Sequence, residues 1–136
     1  MITIETGKTY LVTGGSGFLG KKLIERIHSQ KGNVVTIARD EGKLIELQQK
    51  LPYVEIYTGD IADRFDCEQV TRYVDGIFHL AAFKHVGIAE TQSRECVKSN
   101  TIGSLNLLEL TAYYDLDFNI GISTDKAAIV SGVYGA

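Results

Sequence analysis

The sequence has 136 residues, 44% of them hydrophobic and 23% charged, with a formal net charge of −3. This length suits one domain with a real core and is too short for a dinucleotide domain followed by a substrate domain. The negative balance gives no support for binding nucleic acid or an anionic membrane, and no apolar run approaches the about 18 residues of a membrane span. With no signal-peptide pattern at the N-terminus, a cytoplasmic protein is expected.

Five short apolar or β-branched runs predict strands of the kind buried in a parallel sheet, at residues 9–13, 33–38, 54–58, 76–80 and 118–123. Helical patterns fill the gaps at residues 17–30, 40–51, 63–73 and about 90–114. In the last helix one face at helical spacing is formed by Val97, Thr101, Ser104, Leu105, Leu108 and Ala112. The alternation predicts right-handed crossovers and an α/β fold, a Rossmann-like doubly wound parallel sheet.

The run TGGSGFLG, residues 13–20, follows the first predicted strand directly. Its glycines fit both Gly15-x-Gly17-x-x-Gly20 and Gly14-x-x-Gly17-x-x-Gly20, so the spacing does not choose between families of dinucleotide-binding proteins. Glycines let the backbone turn tightly and approach a pyrophosphate, while the helix that follows offers free N–H groups. The residues predicted to bind the dinucleotide here are Gly14, Ser16, Gly17, Phe18 and Leu19.

Ligands of a doubly wound sheet lie beyond the carboxyl ends of its strands, which directs attention to the residue after the second strand. Arg39 stands where a cation accommodates the extra phosphate of NADP, whereas NAD-binding domains often carry an acid that holds the ribose. We therefore predict NADP, with NAD as the alternative. Asp40 is either a helix cap or a ribose ligand, and Arg39 is alternatively a solvated surface cation.

The third and fourth strands lead to further candidates for the cofactor site. Asp60 is placed to accept a hydrogen bond from an adenine amino group while Ile61 packs on the ring, or it is a turn-forming aspartate after Gly59. Ala81 and Ala82 follow the fourth strand, where small side chains let ribose and nicotinamide approach closely, or where they are ordinary core alanines.

Two hydroxyls, a carboxylate and an amine follow the fifth strand as Ser123, Thr124, Asp125 and Lys126. This grouping is uncommon in a structural loop, although an adjacent Asp and Lys can also be a surface ion pair of little weight. Tyr134 adds a phenol that would serve as an acid/base group if a neighbouring cation lowered its pKa, or would simply pack.

No metal site is predicted, because the histidines show no ligand spacing with Cys67 and Cys96. The two cysteines are also too far apart for a CxxC motif, and buried or incidental thiols are expected.

Taken together, these motifs resemble the extended short-chain dehydrogenase/reductase superfamily over essentially the whole chain. The likeness is greatest to its polysaccharide-biosynthesis branch, which holds nucleotide-sugar 4,6-dehydratases, among them UDP-N-acetylglucosamine 4,6-dehydratases that invert C5, and related epimerases. The most specific segments are Lys84-His85-Val86 and residues 123–126. Phe83 and Gly87 depart from the branch, which usually has a smaller aliphatic residue and a proline there.

The resemblance implies that residues 1–136 form an NAD(P)-binding domain with tightly held NADP and a UDP-sugar substrate. Tyr134 would take the proton of the C4 hydroxyl as hydride passes to the nicotinamide. Asp125 and Lys126 would then assist proton abstraction at C5 and loss of water from C6, with Thr124 bonded to the substrate near C4. The resemblance also assigns Asn100 to the organisation of the site and Lys84 to a position near the sugar or cofactor.

In this superfamily a lysine follows the tyrosine by four residues and a sugar-binding portion comes later, whereas this sequence ends at Ala136. We therefore expect a sheet truncated before its C-terminal strands and substrate domain. Such a chain would bind dinucleotide but turn over poorly or not at all, and its uncovered sheet surface predicts self-association into a homo-oligomer. The alternative function is a non-catalytic dinucleotide-binding or assembly module.

Overall fold

The computed structural model describes residues 3–80 and 93–121, with the side chains of the last helix described from residue 101 onward. Within these ranges the strands are β1 (Thr9–Thr13), β2 (Asn33–Ala38), β3 (Glu55–Thr58), β4 (Gly76–His79) and β5 (Phe118–Gly121). The helices of the same ranges are α1 (Phe18–Ser29), α2 (Glu41–Lys50), α3 (Arg64–Thr71) and α4 (Ser93–Tyr113). None of these described helices is both long and apolar enough to cross a membrane.

The five strands form one parallel sheet in the order β3-β2-β1-β4-β5, which confirms the predicted α/β doubly wound fold. Strand order reverses at β1, because β2 and β3 lie to one side of it and β4 and β5 to the other. Thr13, the last residue of β1, pairs with Ile37 of β2 and His79 of β4. The chain therefore leaves β1 at the switch point of the sheet, where doubly wound proteins bind their ligands.

Side chains of the central strands alternate between two apolar layers, one on each face of the sheet. Leu11 and Ile77 point into the layer that includes Leu107 and Leu110 of α4. Tyr10, on the other face, packs in the layer that includes Ile24 and Ile27 of α1. Because both faces are covered by helices, the central strands are rich in apolar side chains. β1 and β2 begin and end at the predicted residues.

The described part of α4 buries a different face from the one that its sequence pattern favours. Of the predicted face, Thr101, Leu105, Leu108 and Ala112 are exposed, Leu105 to 50% and Leu108 to 45%, whereas Ser104 is partly buried. The buried residues are instead Gly103, Asn106, Leu107 and Leu110. Gly103 lets the helix approach Ile61, since a Cβ there would lie 2.6 Å from Ile61 Cδ1. Contact with the loop after β3 therefore decides the rotation of α4.

The starts of the helices differ in a way that bears on binding. Asp40 caps α2, its Oδ1 accepting the N–H of Lys43 at 3.2 Å. Asp63 caps α3 in the same way, accepting the N–H of Asp66 at 3.1 Å. Helix α1 has Gly17 as its N-cap and receives no side-chain cap. Its first N–H groups are thus left for something other than a capping side chain.

A matched pair of substitutions tests the orientation of α4. Leu107→Ala removes fully buried methyl groups and should lower the free energy of unfolding by about 2 to 5 kcal/mol. Leu108→Ala, one residue along the same helix, should cost about 1 kcal/mol or less because the side chain is half exposed. Urea unfolding followed by circular dichroism measures both, and equal losses would show that the helix is rotated differently.

Candidate functional site

The turn after β1 brings the backbone of residues 14–17 under the start of α1. Gly17 donates its N–H to the carbonyl of Gly14 at 3.1 Å, which closes the turn. Gly14 has a φ of 73°, in the left-handed region that glycine adopts without strain. A Cβ at Gly20 would lie 2.7 Å from Gly15 Cα, so α1 comes this close only with glycine at that position. The turn and the helix are therefore packed directly against each other.

The first turn of α1 is suited to an anion. It contains no acidic residue and no side-chain cap, so neither a capping side chain nor a nearby carboxylate of this turn satisfies its N–H groups and the positive end of its dipole. Phe18 is 81% exposed and Leu19 is also exposed, although both are apolar. Lys22 Nζ lies 5.7 Å from the centre of the Phe18 ring. The structure thus places Gly14, Ser16, Gly17, Phe18 and Leu19 together at the carboxyl edge of the sheet.

A cation stands at the same edge where β2 ends. Arg39 directly follows β2, is exposed, and forms no salt bridge with any residue that the structure describes. The neighbouring Asp40 is occupied as the cap of α2, which supports the first of its two predicted roles. Arg39 is therefore the charged side chain that this strand end presents to a ligand.

A groove of about 160 Å³ lies between α1 and α2 and begins at the glycine turn. It is lined by Ser16, Lys21, Lys43, Glu46, Leu47 and Lys50. Three cations against one carboxylate make the groove locally positive in a chain whose net charge is negative. Sequence reasoning missed these lysines, because the fold is what brings α2 beside the turn.

The loop after β3 is held by hydrogen bonds of its own. Asp60 Oδ1 accepts the N–H of Ala62 at 2.9 Å, the turn-forming role that was the alternative for this residue. Its own N–H donates to Asp66 Oδ2 at 3.0 Å. The Ile61 side chain packs towards Gly103 of α4 and is only partly buried. The loop can thus offer a ligand the second carboxylate oxygen of Asp60 and the exposed part of Ile61.

Beneath the turn, His79 joins β1 to α4. Its Nδ1 lies 2.6 Å from Thr13 Oγ1 and its Nε2 lies 3.1 Å from Ser104 Oγ. The side chain is 2% exposed, and burial lowers the pKa of His79 to about 4, which keeps the imidazole neutral near pH 7. The sequence pattern assigned no role to His79, because it showed no metal-ligand spacing, and the signal available was a polar residue at the end of an apolar strand.

The thiol of Cys67 is buried, as expected, and is not poised for reaction. Its Sγ donates to the carbonyl of Ile61 at 2.8 Å, and burial raises its pKa to about 12. A thiol held in its protonated form is a poor nucleophile and metal ligand. Among the residues that the structure describes, no three His, Cys, Asp or Glu side chains are grouped to hold a metal ion.

Several predicted site residues lie outside the described residues, namely Ala81, Ala82, Lys84, Ser123, Thr124, Asp125, Lys126 and Tyr134. Asn100 lies in α4, but its side chain is also outside them. The described strands β4 and β5 are parallel neighbours, so they point their carboxyl ends to the edge that carries the glycine turn. The roles of these nine residues stay predictions.

A parallel sheet of this order, with a glycine turn at its switch point leading into an uncapped helix, defines a Rossmann-like α/β fold. The family model described as polysaccharide biosynthesis protein matches residues 10–136, and the chain belongs to that family. The predicted resemblance is thereby confirmed.

Individual relatives agree with this family. The chain is 36% identical over 132 residues to the uncharacterized membrane protein MJ1061 of Methanocaldococcus jannaschii. It is 35% identical over 135 residues to a UDP-N-acetylglucosamine 4,6-dehydratase (inverting) of Campylobacter jejuni. Each match covers 95% of this chain and 40% of the relative, so the chain spans about two fifths of their length.

Among solved structures, UDP-glucose 4-epimerase from Bifidobacterium longum in complex with NAD+ and UDP is similar, with a TM-score of 0.75 and 25% identity. The match covers 88% of this chain and 38% of the epimerase. The relatives named here thus include a UDP-sugar dehydratase and a UDP-sugar epimerase, of which this chain matches a part.

The buried imidazole predicts a dependence of stability on pH. An unfolded histidine has a pKa of about 6.5, and His79 has one of about 4 in the folded chain, so the unfolded chain binds more protons between these values. The free energy of unfolding should therefore fall by about 3 kcal/mol as the pH is lowered from about 6.5 to 4, and this term should be constant above pH 6.5. Urea unfolding of wild type and His79→Asn across this range measures it; the same slope in both proteins would contradict the assignment.

Proposed function

We propose that this chain is the cofactor-binding portion of an NADP-dependent nucleotide-sugar 4,6-dehydratase or epimerase, acting on UDP-N-acetylglucosamine in polysaccharide biosynthesis. The observation that carries the proposal is the glycine turn at the switch point of the sheet, which leads into the uncapped first turn of α1. The family membership and the UDP-sugar enzymes among the relatives support the reaction class.

The residues present fit a dinucleotide. The absence of a Cβ at Gly20 keeps α1 against the turn, so the free N–H groups of its first turn are aimed at one place, as a pyrophosphate requires. Asp60 and Ile61 lie after β3, on the side where the adenine would be held, and the exposed Phe18 and Leu19 provide apolar surface beside the phosphates. When bound, the cofactor supplies hydride transfer to and from the sugar.

Arg39 and the groove favour NADP over NAD. A phosphate on the ribose would be placed beside the exposed Arg39 guanidinium, whose planar fork matches phosphate oxygens. Lys43 follows on α2 and lines the groove with Ser16, so a second cation is close to the same strand end. The similar epimerase structure contains NAD+, and the choice between the two dinucleotides is therefore the point to measure.

The chemistry would be carried by residues after β5. Tyr134 would accept the proton of the sugar C4 hydroxyl, and with the hydride of C4 taken up by the cofactor, the resulting ketone would make the C5 proton acidic. Asp125 and Lys126 would move the C5 proton and assist loss of water from C6, while Thr124 would hold the oxygen at C4. Ser123, Ala81, Ala82, Lys84 and Asn100 would line the cofactor and sugar between them. Cytoplasmic location and self-association stay predictions.

Substitution of Arg39 tests the cofactor. Wild type should bind NADP more tightly than NAD in calorimetric titrations, and Arg39→Ala should weaken NADP binding by about ten- to a hundredfold, the loss expected for a charge-assisted hydrogen bond to phosphate. Binding of NAD should be unchanged, because it lacks that phosphate.

Arg26→Ala is the matched control, since Arg26 is an exposed arginine in the last turn of α1, at the opposite end of that helix from the glycine turn. It should leave both affinities unchanged. Equal affinity of wild type for NADP and NAD, or equal effects of the two substitutions, would refute the assignment to NADP. If neither NADP nor NAD binds, the proposed function itself is refuted.

A further inference from the structure

A buried polar chain connects the start of the glycine turn to helix α4. Thr13 Oγ1 lies 2.6 Å from His79 Nδ1, and His79 Nε2 lies 3.1 Å from Ser104 Oγ. Thr13 and His79 are almost fully buried, although the strands around them are apolar. Buried polar groups are costly unless they are paired, so the three side chains have to keep the geometry in which they meet.

Thr13 is the member of this chain that reaches the turn. It is the last residue of β1 and immediately precedes Gly14, whose φ of 73° begins the turn. Its hydroxyl also accepts the N–H of Leu80 at 2.9 Å, while its carbonyl accepts the same N–H at 3.2 Å. Any rotation of the Thr13 backbone would therefore move the start of the turn relative to β4.

His79 limits that rotation. Its ring contacts Ser104 through Nε2 and presents Nδ1 to Thr13, and the backbone register pairs Thr13 with His79 directly. The Nδ1 contact is the one that bears on the turn, whereas the Nε2 contact ties the ring to α4. Within the turn, Gly15 lies against Thr36, since a Cβ at Gly15 would lie 2.8 Å from Thr36 Oγ1.

We infer that His79 is a positioning residue of the dinucleotide site: through Nδ1 it orients Thr13 and so sets the place of the turn that receives the pyrophosphate. This inference rests on the proposed function. His79 touches no cofactor, and its contribution is to the affinity with which the preformed turn binds, because misplacement of a binding group weakens binding even when the fold persists.

Two substitutions separate the two ends of the ring. The asparagine side chain has a polar atom at about the position of His Nδ1, whereas glutamine has one at about the position of Nε2. His79→Asn therefore keeps the contact with Thr13, and His79→Gln keeps the contact with Ser104. Both lose one buried partner of the ring, so a purely structural role would affect them alike.

The experiment is a calorimetric titration of the full chain with NADP, with a thermal unfolding curve for each variant. Wild type and His79→Asn should agree in dissociation constant within about twofold, and His79→Gln should bind about tenfold more weakly, the loss expected for one hydrogen bond. Ser104→Ala and Thr71→Val should lower stability and leave affinity unchanged; Thr71 is a buried threonine bonded within α3.

The outcomes are distinct. If wild type does not bind, the proposed function is wrong; if wild type binds and both His79 variants have the same affinity, the inference alone is wrong. Should His79→Gln not fold, Thr13→Val and Ser104→Ala decide the question, because each removes one hydroxyl partner of the same ring. The inference is supported if Thr13→Val binds NADP more weakly and Ser104→Ala does not. It is overturned if the two variants bind NADP with equal affinity.

Discussion

The close contact between α1 and the turn after β1 is the constraint on which the rest of the site depends. A Cβ at residue 20 would meet the backbone of Gly15 at 2.7 Å, so any other residue there would push the helix away from the turn. With the helix in place, its uncapped first N–H groups point to the carboxyl edge of the sheet, beside Arg39. The same edge is the switch point between β1 and β4, where doubly wound proteins bind their ligands.

Much of the fold could be predicted, because parallel strands that are covered on both faces have the sequence pattern of short apolar runs between turn residues. The limits of β1 and β2 agree with the prediction, and the aspartates before α2 and α3 act as caps. The rule that ligands lie beyond the strand ends also placed Arg39 and Asp60 at the edge where the structure has them. These features depend on local sequence and on a topology that the βαβ alternation already implies.

Features that depend on distant contacts could not be predicted. In α4, leucines occupy two faces, and the buried one is selected by Gly103 and Asn106, which meet the loop at Ile61. Similarly, His79 finds its partners 66 residues earlier at Thr13 and 25 residues later at Ser104, so no sequence window contains them together. The lysines of the groove come from α1 and α2, and only the packing of those helices brings them beside Ser16.

We propose above that the glycine turn and the uncapped start of α1 bind the dinucleotide, and the named relatives of the chain include UDP-sugar enzymes. Two-dimensional amide NMR of the labelled chain during titration with NADP tests that claim residue by residue. We expect saturable shifts of the amides of residues 14–19, with further shifts at Arg39 and at Asp60–Ile61, and little change at the far end of α1. Unshifted turn amides, or shifts confined to other surfaces, would contradict the proposal.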